Sequence, residues 1–337
     1  MTHVLVARMD NDGDVLLSGP AVRAFAAGAD RVTYLCGPRG RGAAQLLPGV
    51  DEVLTHHCPW IDAHPEPVTQ EAMDALVDEV RACRPDVAVI LSSFHQSPLP
   101  LALLLRLAGV PRIGATSVDY PGSLLDVRHK ISDDVHEVER SLALAAEMGF
   151  TLPPGDDGAL AVTPAPLPEL ELPESYVVVH PGASVTARAW APRRNRELVG
   201  ALAADGWDVL VTGGPSEREL TAYVAGDDGT DLGGRTTLHE LAAVIRDAAC
   251  IVVGNTGPAH LAAAVGTPVA SLYAPTVPEV RWRPWAVPHE LLYVGVPCAG
   301  CRARDCPVAG HPCLEGVETE RVVAAVGRLA VREEAVA

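Results

Sequence analysis

The stretch CIVVGNTGPAHLAAAVGTPVASLYAP, residues 250–275, decides the fold. A continuous apolar run ends at Gly254, and a small-residue loop follows. Pro258 then stands where proline is favoured, in the first turn of a helix. Ala, Leu and Val carry that helix to Gly266, and a second apolar run starts beyond Pro268. Strands that are apolar on both faces and separated by a helix belong to a parallel sheet covered on both sides.

The same alternation extends in both directions. HVLVAR, RVTYLCG, VDEVLTH, DVAVILSS and RIGATS read as strands in the first half. Helices are expected over 15–28, 69–84, 97–108 and 132–148, the last starting at a Ser132 cap. Ala72, Leu76 and Val80 fall four apart in the second of these, the spacing of one helix face. A second series begins with YVVVHPGAS and WDVLVTGG, with helices over 193–205, from Ser216, over TLHELAAVIRDA and over 317–330. Between the two series, residues 153–175 are rich in Pro, Gly and acids and show no period, which reads as a linker. The fold class is therefore α/β, with two Rossmann-like domains over 1–152 and 176–337 joined by a linker over 153–175.

Composition narrows the function. The chain has 337 residues and a formal net charge of −17. Such a charge disfavours nucleic acid as the main partner, because binding it requires clustered Lys and Arg. No secretory leader pattern and no apolar run of membrane-spanning length is visible, so a cytoplasmic protein with no transmembrane segment is expected. There is no G-x-S-x-G elbow, no Walker loop and no G-x-G-x-x-G after the first strand, which disfavours hydrolase, NTPase and NAD-dehydrogenase readings.

DNDGD, residues 10–14, has the acid count of a calcium loop. A twelve-residue loop starting at Asp10 puts Val15 at position six and Ala21 at position twelve. One starting at Arg8 puts Gly13 at six but Gly19 at twelve, and neither register supplies the ligands. A strand also precedes it where a helix should. Two readings stay open: a polar turn, or a catalytic loop outside the carboxyl end of the first strand, where open α/β sheets carry their sites. Asp14, at the start of the first helix, is then the candidate general base. Asp10 and Asp12 either shape the loop or meet an acceptor.

Three strand-end loops lie in the second half. HPGASVTARAW, residues 180–190, offers Ser184, Thr186 and Arg188 to an anion, although an ordinary loop would also look like this. GNTGPAH offers Asn255 and the amides of Thr256 and Gly257 at a helix N-terminus, with His260 in the first turn. A packed or solvated histidine is the alternative there. Glu217, in GGPSE, either accepts from ribose hydroxyls or is a helix-start acid favoured by the dipole. Cys298, Cys301, Cys306 and Cys313 follow the spacing C-x2-C-x4-C-x6-C, with the alternatives of structural zinc, packing thiols, local disulfides and an iron–sulfur cluster.

Taken in order, VLVARMDNDGDVLLSGPAVRAF, HEVERSLALAAEMG, HPGASVTARAWAPRRNRELVGAL and TLHELAAVIRDAACIVVGNTGPAHLAAAVGTPVASLYAPT resemble glycosyltransferase family 9, the ADP-heptose:lipopolysaccharide heptosyltransferases. The resemblance implies a GT-B architecture: two facing Rossmann-like domains, an N-terminal acceptor-binding one and a C-terminal nucleotide-sugar donor one, with an inter-domain active-site cleft. It implies an inverting transferase that needs no metal for catalysis, with Asp14 as the base. The donor would be a nucleotide sugar, ADP-heptose on the family pattern, and the acceptor a glycan or small-molecule hydroxyl. Ser184, Thr186, Arg188, Thr256, Gly257 and His260 would hold the diphosphate, and Glu217 the nucleoside. Asn255 stands where family members carry Asp, which keeps hydrogen bonding and removes a charge. The alternatives are a GT-B-type sugar-nucleotide epimerase or hydrolase acting without an acceptor, and a non-catalytic sugar-nucleotide binding protein.

Overall fold

The computed structural model describes residues 1–62, 65–164 and 170–330. The chain divides into two units, Met1–Thr163 and Pro164–Ala337. Residues 165–169 of the expected linker, and the last seven residues of the expected C-terminal domain, lie outside the described residues.

The first unit holds strands β1 (His3–Arg8), β2 (Arg31–Cys36), β3 (Glu52–Thr55), β4 (Val87–Ile90), β5 (Arg112–Thr116) and β6 (Val127–His129). They form one six-stranded sheet in the order β3-β2-β1-β4-β5-β6, and every pairing is parallel. The second unit holds β7 (Tyr176–His180), β8 (Asp208–Val211), β9 (Thr230–Asp231), β10 (Cys250–Gly254), β11 (Val269–Leu272) and β12 (His289–Leu291). Its sheet runs β12-β11-β10-β7-β8-β9, again all parallel. Read from the β9 edge, this is the first sheet's order repeated. Both are doubly wound sheets, and in each the chain reverses its direction of travel at one point: β1 beside β4, and β7 beside β10. Ligand sites of such sheets lie at the carboxyl ends of the strands flanking that point.

The central strands are buried on both faces, as their unbroken apolar runs require. Val4, Leu5, Val6 and Ala7 have no exposed surface, nor have Ile251, Val252 and Val253. Helices cover the sheets. In the second unit, Leu198 and Leu202 of the helix Pro192–Ala204 and Val322 and Val326 of the helix Thr319–Leu329 pack on Val177, Val179 and Val252. Among the described residues no helix is long and apolar enough to cross a membrane.

Two helix expectations need correction. The helix expected over 15–28 begins at Asp12 and is broken in two, Asp12–Leu17 and Gly19–Gly28. At the break, the Ser18 hydroxyl donates to the Val15 carbonyl at 2.6 Å and meets the Tyr34 hydroxyl at 2.7 Å. Pro20 just beyond has no N–H to carry a continuous ladder. The helix expected to start at Ser132 starts instead at Glu137. His136 caps it: its Nδ1 accepts from the Val138 N–H at 3.2 Å, and Glu139 accepts from the His136 N–H at 3.0 Å. Ser132 accepts from the Asp134 N–H in a separate turn. A reciprocal box satisfies two orphan helix donors where a lone serine satisfies one.

The chain beyond the helix Glu137–Glu147 is tied back to the first unit. Arg23 Nε and Nη2 grip both Asp156 oxygens at 2.6 and 2.8 Å, and Nη2 also reaches the Ala159 carbonyl. The Gly158 N–H donates to Asp156 at 2.9 Å. Arg23 above all holds the Asp156 carboxyl below its ordinary value. A carboxyl depressed in the fold stabilises it at neutral pH, and that stabilisation is lost as pH falls through the folded value. Protection of the Gly158 amide from hydrogen exchange is therefore expected to hold at neutral pH and to fade only on acidification below the ordinary carboxylate range. Arg23→Ala should weaken that protection and move its loss to higher pH, since the guanidinium that lowers the Asp156 carboxyl is gone.

Candidate active site

At the reversal point of the first sheet, β1 ends in a buried arginine. Arg8 is 1% exposed, with its guanidinium between three carboxylates. Its Nε lies 2.7 Å from Asp10, its Nη2 3.0 Å from Asp14 and its Nη1 3.1 Å from Glu137. Nη2 also donates to the Ser93 hydroxyl, beyond β4, at 2.9 Å. Burial alone would lower the arginine's proton affinity, but Asp10, Glu137 and Asp14 more than offset it, so Arg8 is held firmly as a cation.

The three acids of the loop are unequal. Asp10 is buried, paired with Arg8 and hydrogen-bonded by the Gln96 amide and, at 3.4 Å, the Ser93 hydroxyl. Burial pushes its carboxyl up, with Arg8 pulling the other way. Asp12 accepts from the Ala43 N–H at 3.0 Å, which ties the loop to the helix Arg41–Ala44. Burial raises its carboxyl as well. Asp14 sits in the first turn of the helix Asp12–Leu17. Its side chain is 22% exposed, against 8% for Asp10 and 1% for Glu137, so of Arg8's carboxylates it is the one that solvent reaches. Close packing fixes the loop: a Cβ on Gly40 would lie 3.0 Å from the Asp10 carbonyl, and one on Gly37 2.9 Å from the Met9 carbonyl.

In the second unit the loop after β7 meets the end of β10. A Cβ on Gly254 would stand 2.8 Å from the Arg188 carbonyl, so glycine is needed for this approach. Ser184 is exposed. The Arg188 Nε is buried and, among the described residues, has no hydrogen-bond partner. Beyond β10, Asn255 is 5% exposed; its amide donates to the Ala274 carbonyl at 3.4 Å, and its Oδ1 is unpaired. Thr256 caps the helix Gly257–Val265 without a side-chain bond, and its buried hydroxyl is unpaired too. His260, in that helix's first turn, is 5% exposed. A buried polar atom without a partner is costly, and a cluster of them at a strand end is what a polar ligand would satisfy.

Thr186 sits differently. Its hydroxyl lies against the Arg304 carbonyl, at 2.9 Å, and the Asp305 carboxylate. The cysteine segment therefore engages it, and braces the loop at three further points. The Ala187 N–H donates to Arg304 at 2.9 Å, His311 Nε2 lies 3.2 Å from the Ala187 carbonyl, and the Ala191 N–H donates to Glu315 at 3.0 Å. Cys298 and Cys301 are exposed, Cys306 half-buried and Cys313 buried, all as free thiols. Among the described residues no group of three or more His, Cys, Asp or Glu side chains is placed to hold a metal ion.

Glu217 joins two strand-end loops. It accepts from the Gly214 N–H at 2.7 Å, and a Cβ on Gly182 would lie 1.9 Å from its Oε1. Its charge reaches His180, which is buried and lies 3.0 Å from the Thr212 hydroxyl.

Sequence reasoning missed Arg8, Ser93, Gln96 and Glu137. The signal for Arg8 was present: a cation closing an apolar strand, followed by three acids. Ser93 and Gln96 gave none, because a loop after a buried strand does not say which way it turns. Thr276, 3% exposed with an unpaired hydroxyl beyond β11, was missed for the same reason.

Two doubly wound units with polar, partly unsatisfied strand-end loops define an α/β protein with one site-bearing edge in each unit. Residues 74–311 match the model of glycosyltransferase family 9 (heptosyltransferase), and the chain belongs to that family. Lipopolysaccharide heptosyltransferase 3 of Escherichia coli is 34% identical over 119 residues, a match spanning 34% of this chain and 35% of that protein. The chain thus spans about a third of the length of that relative. Lipopolysaccharide heptosyltransferase 2 of E. coli K12 is 27% identical over 81% of this chain and 85% of its own. Among solved structures, the family 9 glycosyl transferase of Veillonella parvula superposes with a TM-score of 0.77 at 15% identity, covering 97% of each chain. E. coli ADP-heptose lps heptosyltransferase II gives 0.74 at 19%, covering 98% of each. These likenesses show the fold.

The buried imidazole offers a direct check. Burial holds His180 below the ordinary histidine range, with Glu217 opposing the shift. In an NMR titration His180 should stay neutral at pH 7 and protonate below the usual range. Glu217→Gln should lower its midpoint further, since the opposing charge is gone.

Proposed function

We propose that the chain is an inverting glycosyltransferase that moves a sugar from an ADP-activated donor to a hydroxyl acceptor. Heptose is the sugar and a lipopolysaccharide glycan the acceptor class, by extension from the names of its relatives. The observation that carries this reading is Asp14: a solvent-reachable carboxylate, held on a helix start at the reversal point of the sheet.

In this scheme the acceptor hydroxyl gives its proton to Asp14 as its oxygen attacks the anomeric carbon. The bond from that carbon to the diphosphate oxygen breaks, and ADP leaves with the electron pair. One in-line displacement inverts the configuration. The leaving diphosphate gains negative charge, which in this reading Arg188 and the amides at the start of the helix Gly257–Val265 meet. Ser184, Asn255, Thr256 and His260 supply further polar contacts, and Glu217 takes ribose hydroxyls. The Thr186 hydroxyl donates to the Arg304 carbonyl and is not among these contacts. With the charge met by the protein, transfer is expected to run at an unchanged rate in the presence of a chelator.

Asp14→Asn should lower kcat by about 10²–10⁴-fold, the range for loss of a general base, with ADP affinity within about threefold of wild type. The measurement is ADP release from ADP-heptose with deacylated lipopolysaccharide core oligosaccharides as acceptors. Undiminished turnover by the variant would remove Asp14 from the chemistry, and equal turnover without an acceptor would make the protein a hydrolase. Arg188→Ala should weaken ADP binding by about tenfold, a change of about 1.4 kcal/mol. Equal calorimetric affinity would overturn its assignment to the phosphates.

A further inference from the structure

We infer that Arg8 is a positioning residue for the reaction: its guanidinium fixes the Asp14 carboxylate in place, and the buried Glu137 and Asp10 hold the guanidinium. This rests on Asp14 being the base. Arg8 donates from one nitrogen, Nη2, to both Asp14 at 3.0 Å and Ser93 at 2.9 Å. Nη1 donates to Glu137 at 3.1 Å, and Asp10 lies 2.7 Å from Nε as an ion pair. The planar fork is therefore bound on three sides by groups from three segments: the loop after β1, the loop after β4, and the start of the helix Glu137–Glu147. A guanidinium so held has little freedom to turn, and it fixes the side of Asp14 from which the Oδ1 oxygen is bonded. Lysine, with one point charge on a flexible stem, cannot reproduce this arrangement.

The cluster also sets a charge balance. One guanidinium faces three carboxylates, only one of which reaches solvent. Around it stand His95, whose charge acts on Asp10; Tyr34, whose hydroxyl acts on Arg8; and Arg140, which lines the same small cavity behind Arg8. Glu137 competes with Asp14 for the one central cation, so its negative charge opposes ionisation of Asp14. Removing that charge without removing the oxygen that faces Arg8 isolates the electrostatic part from the packing part.

The test compares Arg8→Lys, Glu137→Gln and Asp14→Asn for kcat, donor KM, the pH–rate profile and thermal midpoint, in the ADP-release assay. Arg8→Lys should lose about 100-fold in kcat, the scale for a reacting group displaced by about 1 Å, with donor KM within about threefold. Glu137→Gln should stay active and shift the acid limb of its profile to lower pH, a displacement that a purely structural contact would not produce. A folded Arg8→Lys with wild-type kcat would overturn the inference. If Arg8→Lys does not fold, Glu137→Gln decides: an acid limb in its wild-type position would overturn it equally. Full activity in Asp14→Asn would instead show that the base assignment itself had failed, whatever Arg8 does.

Discussion

A parallel sheet with helices on both sides has no face to offer water. That constraint governs both units of this chain. Val4 to Ala7 and Ile251 to Val253 are wholly buried, and each backbone group along them is matched by a neighbouring strand. Polar chemistry is left with the strand ends. Both units obey this in the same way, because their sheets share one strand order. Arg8 shows the limit of the rule. It is the last residue of its strand, fully buried, and tolerated there because three carboxylates and a hydroxyl surround it. Leaving such a cation unpaired would cost several kcal/mol.

The fold was legible because the sequence signal and the physical cause coincide. An apolar run closed by glycine, with Pro258 inside the next helix, can be read without knowing what packs against it. Local chemistry was legible only where it stayed local. The broken first helix was not, because the Ser18 hydroxyl finds Tyr34 from another strand. The helix cap at His136 was not, since histidine is a rare cap and Ser132 looked better.

The candidate site divides along the same line. Asp14, Arg188, Asn255 and Thr256 stand in segments just past strand ends, Asp14 in the first turn of a helix, and those positions follow from strand and helix boundaries. What those boundaries could not give was ranking. Three aspartates in five residues look equivalent on paper. They separate only when Ala43 claims Asp12, Gln96 claims Asp10, and Asp14 is left as the more exposed of the two that face Arg8. Thr186 is the converse case: its type suits an anion, but a partner more than a hundred residues away already holds it.

That remote partner has a consequence for the order in which the protein is made. Residues 186–191 take their bracing from Arg304, His311 and Glu315. A ribosome adding about 5–20 residues per second needs on the order of ten seconds to travel from one to the other. During that interval β7 and β8 can already pair, yet the loop between them lacks its contacts to Arg304, His311 and Glu315. A nascent chain at this stage has its sheet begun and this loop without those contacts. The strands of the second unit are thus made before the residues that brace this loop, and a chain truncated before residue 304 would leave the loop without that support.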